Sequence, residues 1–305
     1  MRLTLLSFLF LFCLYAFGQQ RQDFKIISTD IENFYTAFHQ MDENSQDIEA
    51  LFSKNYFARG TKGLRDFYRY KIKDRKQFVA TVEQGKGFYA SIEEDLKQVH
   101  LFRDTIVNNF KKFKQVYPKA QFGDIYFVVG RLNSNGTISK NGLIIGVELL
   151  SKTPENSTNW NKDLQKWVLD FDHIPVTVFH EMIHFNQKGM RRENNLLSYA
   201  LREGAAEFLA ELFTGSTDGD YAAFQGRAAS IWKDFEKEMH KDVYASWHRE
   251  NEPLRPRNAL YWAGYLICKS CYEEAADKRK AIDEILNIKS GTDFYERSKI
   301  ADKIK

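Results

Sequence analysis

His180-Glu181-Met182-Ile183-His184 is the stretch of this chain whose residue types and spacing could do chemistry. On a helix, positions i and i+4 share a face, so both imidazoles can point at one metal ion. Glu181 follows the first imidazole and can lean over an open coordination position without filling it. That is where the general base of a zinc hydrolase stands. The residues from Ile174 to Phe179, with Ile183 and Phe185, are mostly apolar and suit a buried helix. The five-residue pattern arises by chance often enough that it needs a third ligand to carry weight.

The next helical stretch supplies an acidic one. Leu196 to Phe213 has apolar residues at helical spacing, and within it Glu203 and Glu207 stand one turn apart. Eighteen residues separate His184 from Glu203, enough to end one helix, turn through Lys188-Gly189-Met190 and pack a second helix back. Gly204, Ala205 and Ala206 are small, which lets two backbones approach closely at the metal. Glu207 is placed to accept a hydrogen bond from the far nitrogen of a ligating histidine, the usual orienting role behind a metal ligand. An exposed helical glutamate is the other reading of Glu207.

His-Glu-x-x-His, eighteen residues and then Glu-Gly-x-Ala resembles the gluzincin superfamily of zinc peptidases. Over roughly Phe122 to the C-terminus the chain is similar to exported bacterial proteins described as predicted zinc-dependent proteases. The resemblance implies one zinc ion on His180, His184 and Glu203, with Glu181 as base. It also implies a peptide or protein substrate and hydrolysis through a zinc-bound water. Arg202 stands where aminopeptidases of this group carry Asn, which weakens that comparison. Downstream donors for a developing oxyanion are Tyr265, Tyr261 and His248, with Tyr265 preferred. Two other readings stay open: a catalytically inactive binding or scaffold protein, and a zinc hydrolase acting on a non-peptide amide or ester.

The elements that position these residues follow from the pattern along the chain. Residues 1–18 combine Arg2, an apolar run from Leu3 to Phe17 and small residues before Gln19, and read as a signal peptide. The Leu-Phe-Leu-Phe before Cys13 lacks the small residues of a lipidation site, which argues against a lipoprotein. The expected location is periplasmic or secreted, with no stable membrane span after cleavage. The whole chain has 44 basic and 41 acidic residues, a balance that gives no footprint for nucleic acid. Lys111, Lys112 and Lys114 form a basic cluster that reads as the solvated face of a helix. Cys268 and Cys271 lie within one helical stretch and read as packing residues, because two cysteines so placed rarely reach disulfide geometry.

Residues 19–120 read as a helical N-terminal subdomain rich in Phe and Tyr, and residues 121–305 as the zinc peptidase-like domain. The helical segments of the first part are Asp30 to Met41, Asp47 to Phe57 and Gly87 to Tyr117. Asp124 to Val129 and Leu143 to Glu148 read as two strands paired antiparallel across a turn at Asn133 to Thr137. The resemblance to gluzincins implies that a strand in this place holds an extended substrate by strand addition, and the aminopeptidases of that group make Glu148 a candidate for binding a free amine, the other reading being a half-exposed strand residue. His173, just before the metal helix, reads as a capping or packing residue. The expected fold is α+β and mostly helical. It has a gluzincin-like two-helix zinc site beside a small antiparallel sheet.

Overall fold

A computed structural model describes residues 24–41, 47–224, 226–247 and 258–304. The signal-peptide segment and His248 lie outside these residues. Of the described residues 66% are helical, and four short strands form one sheet. Strand β1 (Ile26–Ile27) precedes helices α1 (Thr29–Gln40), α2 (Ile48–Phe52), α3 (Lys62–Phe67), α4 (Arg75–Gln84), α5 (Lys86–Ser91), α6 (Glu93–Leu96) and α7 (Arg103–Val116). Strands β2 (Asp124–Val128), β3 (Gly136–Ser139) and β4 (Gly142–Gly146) follow, then α8 (Lys162–Trp167), α9 (Ile174–Asn186) and α10 (Leu196–Thr214). The remaining helices are α11 (Ala228–Glu238), α12 (Tyr244–Trp247), α13 (Ala259–Glu274), α14 (Lys278–Leu286) and α15 (Gly291–Ser298).

The sheet order is β1-β2-β4-β3, and it is mixed rather than antiparallel. β2 and β4 run parallel, with Ile125 beside Leu143 and Phe127 beside Ile145. The reason lies in the segment read as a turn. Gly136–Ser139 is itself a strand, and it pairs antiparallel with β4 across Lys140–Asn141. That hairpin reverses the chain once more, so β4 returns in the direction of β2. Gly142 takes φ +138°, and a Cβ there would overlap the Asp124 backbone, so the register of β4 on β2 depends on glycine. Ile125, Phe127, Leu143, Ile144 and Ile145 are fully buried, as expected of parallel strands covered on both faces.

β1 adds to β2 in parallel, which brings the start of the described chain into the same sheet. Tyr56 and Tyr89, fully buried from the helical first part, reach the segment that follows β2. The Tyr56 hydroxyl donates to Val129 O at 2.6 Å, and the Tyr89 hydroxyl donates to Gly130 O at 3.0 Å. One continuous core therefore crosses from residues 19–120 into residues 121–305. The expected helix from Gly87 to Tyr117 is broken into α5, α6, a 3-10 turn at Val99–Phe102 and α7.

α10 is the central helix of the second part, packed between α9 and α13. The small residues expected to ease its approach to the metal helix serve the other side. A Cβ on Gly204 would overlap the backbone of Gly264 and Tyr265, and a Cβ on Gly264 would overlap Ala200 O. Cys268 is buried and Cys271 half-buried on α13, both as free thiols. Replacing Gly204 by Ala should lower stability by about 1–3 kcal/mol through overpacking, although helix propensity alone favours Ala by roughly 1 kcal/mol. Urea unfolding measures the balance, and a midpoint equal to or above that of the parent would show that the α10–α13 approach can relax.

Candidate metal centre

α9 begins with Pro175 in its first turn, where a missing N–H costs nothing, and nearly every residue from Ile174 to His184 is buried. An amphipathic surface helix would not bury all faces. This one lies under the sheet and α10, which explains why polar His180, Glu181 and His184 sit in the interior. α10 is capped by Asn195, whose side chain accepts from Ser198 N, and ends at Gly215 in the left-handed region.

Three donor atoms meet between these helices. His180 Nε2 is 3.0 Å from His184 Nε2, His184 Nε2 is 3.0 Å from Glu203 Oε2, and His180 Nε2 is 3.6 Å from Glu203 Oε2. Each ring has a polar group on its far side. His184 Nδ1 donates to Gln187 Oε1 at 2.8 Å, and Gln187 is itself oriented by donating to Arg202 O at 2.8 Å. His180 Nδ1 faces the Glu207 carboxylate at 3.2 Å. With each ring protonated at Nδ1, both Nε2 lone pairs aim at each other and at a carboxylate oxygen. One proton can bridge a single pair of these three atoms. A divalent cation satisfies all of them at once, and the separations bracket the tetrahedral edge of about 3.3 Å that follows from metal–nitrogen bonds of about 2.0–2.1 Å. The donor set thus fits an ion such as zinc. When bound, such an ion supplies Lewis acidity and a binding position for a fourth ligand.

The surroundings fix these groups further. Arg202 donates to Glu203 Oε1 at 3.0 Å, which leaves Oε2 for the shared point. Burial pushes the Glu203 carboxyl up, but His184, His180 and Arg202 outweigh it and hold the group well below its usual range. Behind His180, Glu207 is 1% exposed and accepts Gly219 N–H at 3.0 Å. The neighbouring Asp218 accepts from the Thr177 hydroxyl and lies 3.1 Å from His173 Nε2. Burial alone would raise the Asp218 carboxyl, yet His173 and His180 hold it below the usual range. His173 is therefore an ion-pair partner as well as a residue at the helix start. Gln187, Arg202 and Asp218 escaped the sequence reading. Gln187 could have been found at i+3 from His184, whereas Asp218 reaches the centre only through tertiary folding.

Glu181 packs against β3 so closely that a Cβ on Gly136 would overlap its carboxylate. Burial raises its carboxyl, while His184 and His180 work in the opposite direction. Tyr261 places its ring 6.4 Å from the His180 ring, nearly parallel to it. The Tyr265 hydroxyl points elsewhere: it donates to Glu211 at 2.8 Å and accepts from Lys269 at 2.7 Å. Between the two, Tyr261 and not Tyr265 borders the centre. Glu148 is not at the centre either. It sits in a 3-10 turn after β4, fully buried, and accepts Gly130 N–H at 2.8 Å and Leu132 N–H at 3.1 Å. It shapes the loop between β2 and β3 and offers nothing to a free amine.

A family model for the gliding motility protein GldB, a lipoprotein family, matches residues 18–245. The chain belongs to the GldB family. The match contains His180, His184, Glu203, Glu207 and Asp218 and ends before α13, which carries Tyr261 and Tyr265. No curated protein and no solved structure matches the chain. The family overturns the resemblance to gluzincins and to the predicted zinc-dependent proteases, and with it the peptide-hydrolysing function and peptide substrate drawn from that resemblance. The physical reason is that the ligand spacing describes a two-helix frame for a cation, and a frame does not specify a reaction. A GldB-family chain is exported and membrane-associated. The match begins after Cys13, and the residues around Cys13 lie outside the described ones. Among the described residues no helix is long and apolar enough to cross a membrane.

Burial raises the Glu148 carboxyl to about 7, against the two backbone N–H groups that favour its charge. The native state then holds a proton that the unfolded chain releases near pH 4.3, so this residue makes stability fall as pH rises from about 4.5 to 7. In a Glu148→Gln variant that component is absent. The stability advantage of the parent over the variant should shrink by about 1–3 kcal/mol between pH 5 and pH 8. Parallel stability curves for the two proteins would place the Glu148 titration at the same pH folded and unfolded.

Proposed function

We propose that this exported, membrane-associated chain is a gliding-motility component whose folded body is fastened at its centre by one divalent transition-metal ion. His180, His184 and Glu203 hold the ion, and zinc suits the donor set best. The observation that carries this reading is the convergence of two imidazole Nε2 atoms and one carboxylate oxygen on a common point. The ion would join α9 to α10, and through α10 to α13, so its binding free energy becomes folding free energy. His180, His184, Glu203 and Glu181 expose only 4–9% of their surface, which suits an ion shielded within the fold. Glu207, Gln187, Arg202 and Asp218 hold the ligands in the orientations that binding requires.

Metal analysis of the purified protein should give about one equivalent of zinc per chain, and a chelator should lower the melting temperature by several degrees. His180→Ala and Glu203→Ala should each abolish stoichiometric metal. Asp218→Asn, which leaves all three ligands in place, should weaken metal affinity by roughly 10–100-fold. Metal content no greater in the parent than in a His180→Ala/His184→Ala double variant, with a melting temperature indifferent to chelator, would remove the proposal.

A further inference from the structure

The strongest charge segregation in the chain belongs to elements other than α9 and α10. Residues 53–76 carry nine basic side chains (Lys54, Arg59, Lys62, Arg65, Arg69, Lys71, Lys73, Arg75 and Lys76) against Asp66 and Asp74. The rest of the chain has 35 basic and 39 acidic residues, so this short segment outweighs the whole remainder in charge. Eight of the nine are exposed and Lys71 is half-buried.

The two acidic residues do not neutralise them. Asp66 is 6% exposed and accepts from Asn141 Nδ2 at 2.6 Å. Asp74 caps α4 by accepting Gln77 N–H at 3.0 Å. Among the described residues none of the nine cations forms an ion pair with a carboxylate. A solvated helix face usually mixes both signs, whereas this one does not.

The fold also gathers these charges. α3 continues into a π-turn at Tyr68–Ile72, and Lys62, Arg65 and Arg69 recur along it at intervals of three and four, so they form one stripe, with Lys73 just past its end. The Arg75 guanidinium lies 5.7 Å over the Phe57 ring and 5.6 Å over the Tyr68 ring, which ties the start of α4 to the π-turn at Ser53–Phe57 beside Lys54. Tyr70, within this patch, is one of the few large aromatic side chains left exposed, at 42%. The described chain enters the fold at the same place. Thr61 N–H donates to Asp30 Oδ1 at 3.0 Å, and Gly63 packs directly on Tyr126, whose strand partner is Ile27.

We propose that this basic face, with Tyr70 within it, docks on an anionic lipid bilayer. A membrane-associated lipoprotein presents its folded body to a bilayer continuously, and the charge and the interfacial aromatic suit anionic headgroups. An acyl chain alone gives marginal and reversible attachment, and stable attachment takes a second signal such as a polybasic patch. The face supplies that signal and sets which side of the body meets the lipid. This proposal does not depend on the metal ion.

Cosedimentation of the mature protein with vesicles tests it, comparing neutral phosphatidylcholine with the same lipid containing phosphatidylglycerol. The protein should bind the anionic vesicles more tightly, and salt should release it. A Lys62→Glu/Arg69→Glu/Lys76→Glu variant should lose at least about tenfold in binding. A Lys111→Glu/Lys112→Glu/Lys233→Glu variant has the same net charge, reversed at exposed positions on α7 and α11, and should keep most of it. Equal loss in both variants, or equal binding to both vesicle types, would overturn the proposal. So would patch-dependent binding to dextran sulfate without binding to vesicles, which would assign the face to a polyanionic polymer. Circular dichroism of both variants separates loss of the face from loss of the fold.

Discussion

Three ligand atoms meeting between α9 and α10, two imidazole nitrogens and a carboxylate oxygen, set the terms for the rest of the structure. Buried acceptors facing one another repel, and burial removes the water that would otherwise relieve them. The fold accepts this arrangement in its most densely packed region. It also commits second-layer groups to maintaining it: Gln187 and Glu207 hold the far nitrogens, and Arg202 takes the spare carboxylate oxygen. Such an investment is hard to explain by packing alone, since apolar residues of similar size would fill the space without repulsion. A cation at the shared point turns the same groups into mutual attraction. α9 then becomes fixed relative to α10, and the Gly204–Gly264 approach passes that placement on to α13.

The helical frame was readable because its signals are local. Spacing of i and i+4 put His180 and His184 on one face, and the interval to Glu203 left room for one turn and a return helix. Those facts survive any reassignment of function, and the structure brings the three side chains together with Glu207 behind them. The groups that reach the centre over a longer path were not readable. Asp218 lies in a polar loop after α10, and nothing in its neighbours distinguishes it from an ordinary turn aspartate. Its importance comes from the return of that loop over Thr177 and His173. Glu148 was misread for a related reason. A glutamate at a strand end suggests an exposed anchor, whereas its two backbone N–H partners come from residues 130 and 132, and only the folded loop reveals them. The sheet shows the same limit. β2 and β4 lack the alternation of a half-exposed antiparallel pair, and their uniform burial was the available hint of parallel pairing.

The reaction was the least legible feature. A motif that places two imidazoles, a carboxylate and a nearby glutamate around one point is shared by any protein that retains the frame. In this chain the residue expected to donate to an oxyanion, Tyr265, is engaged with Glu211 and Lys269, and the family match stops short of its helix. The part of the chain that defines the family thus includes the whole metal frame and excludes that downstream helix. This division is consistent with a metal site maintained for the integrity of the body rather than for a substrate.

Charge composition tells a parallel story about averages. A total of 44 basic and 41 acidic residues describes a nearly neutral chain, and that figure gives no footprint for nucleic acid. The same total conceals a segment with nine basic and two acidic residues. What makes the segregation meaningful is the fate of Asp66 and Asp74, both drawn into hydrogen bonds that build the fold. Had either been free, it could have swung toward the arginines and lysines and neutralised the face locally. Because capping and burial hold them, the positive field is a fixed property of the body. Its reach is about 8 Å at physiological ionic strength, so it acts only on a surface that the protein already approaches. A membrane-associated protein approaches one all the time. The weak, short-ranged attraction of each lysine and arginine would then add up to an orientation of the whole body.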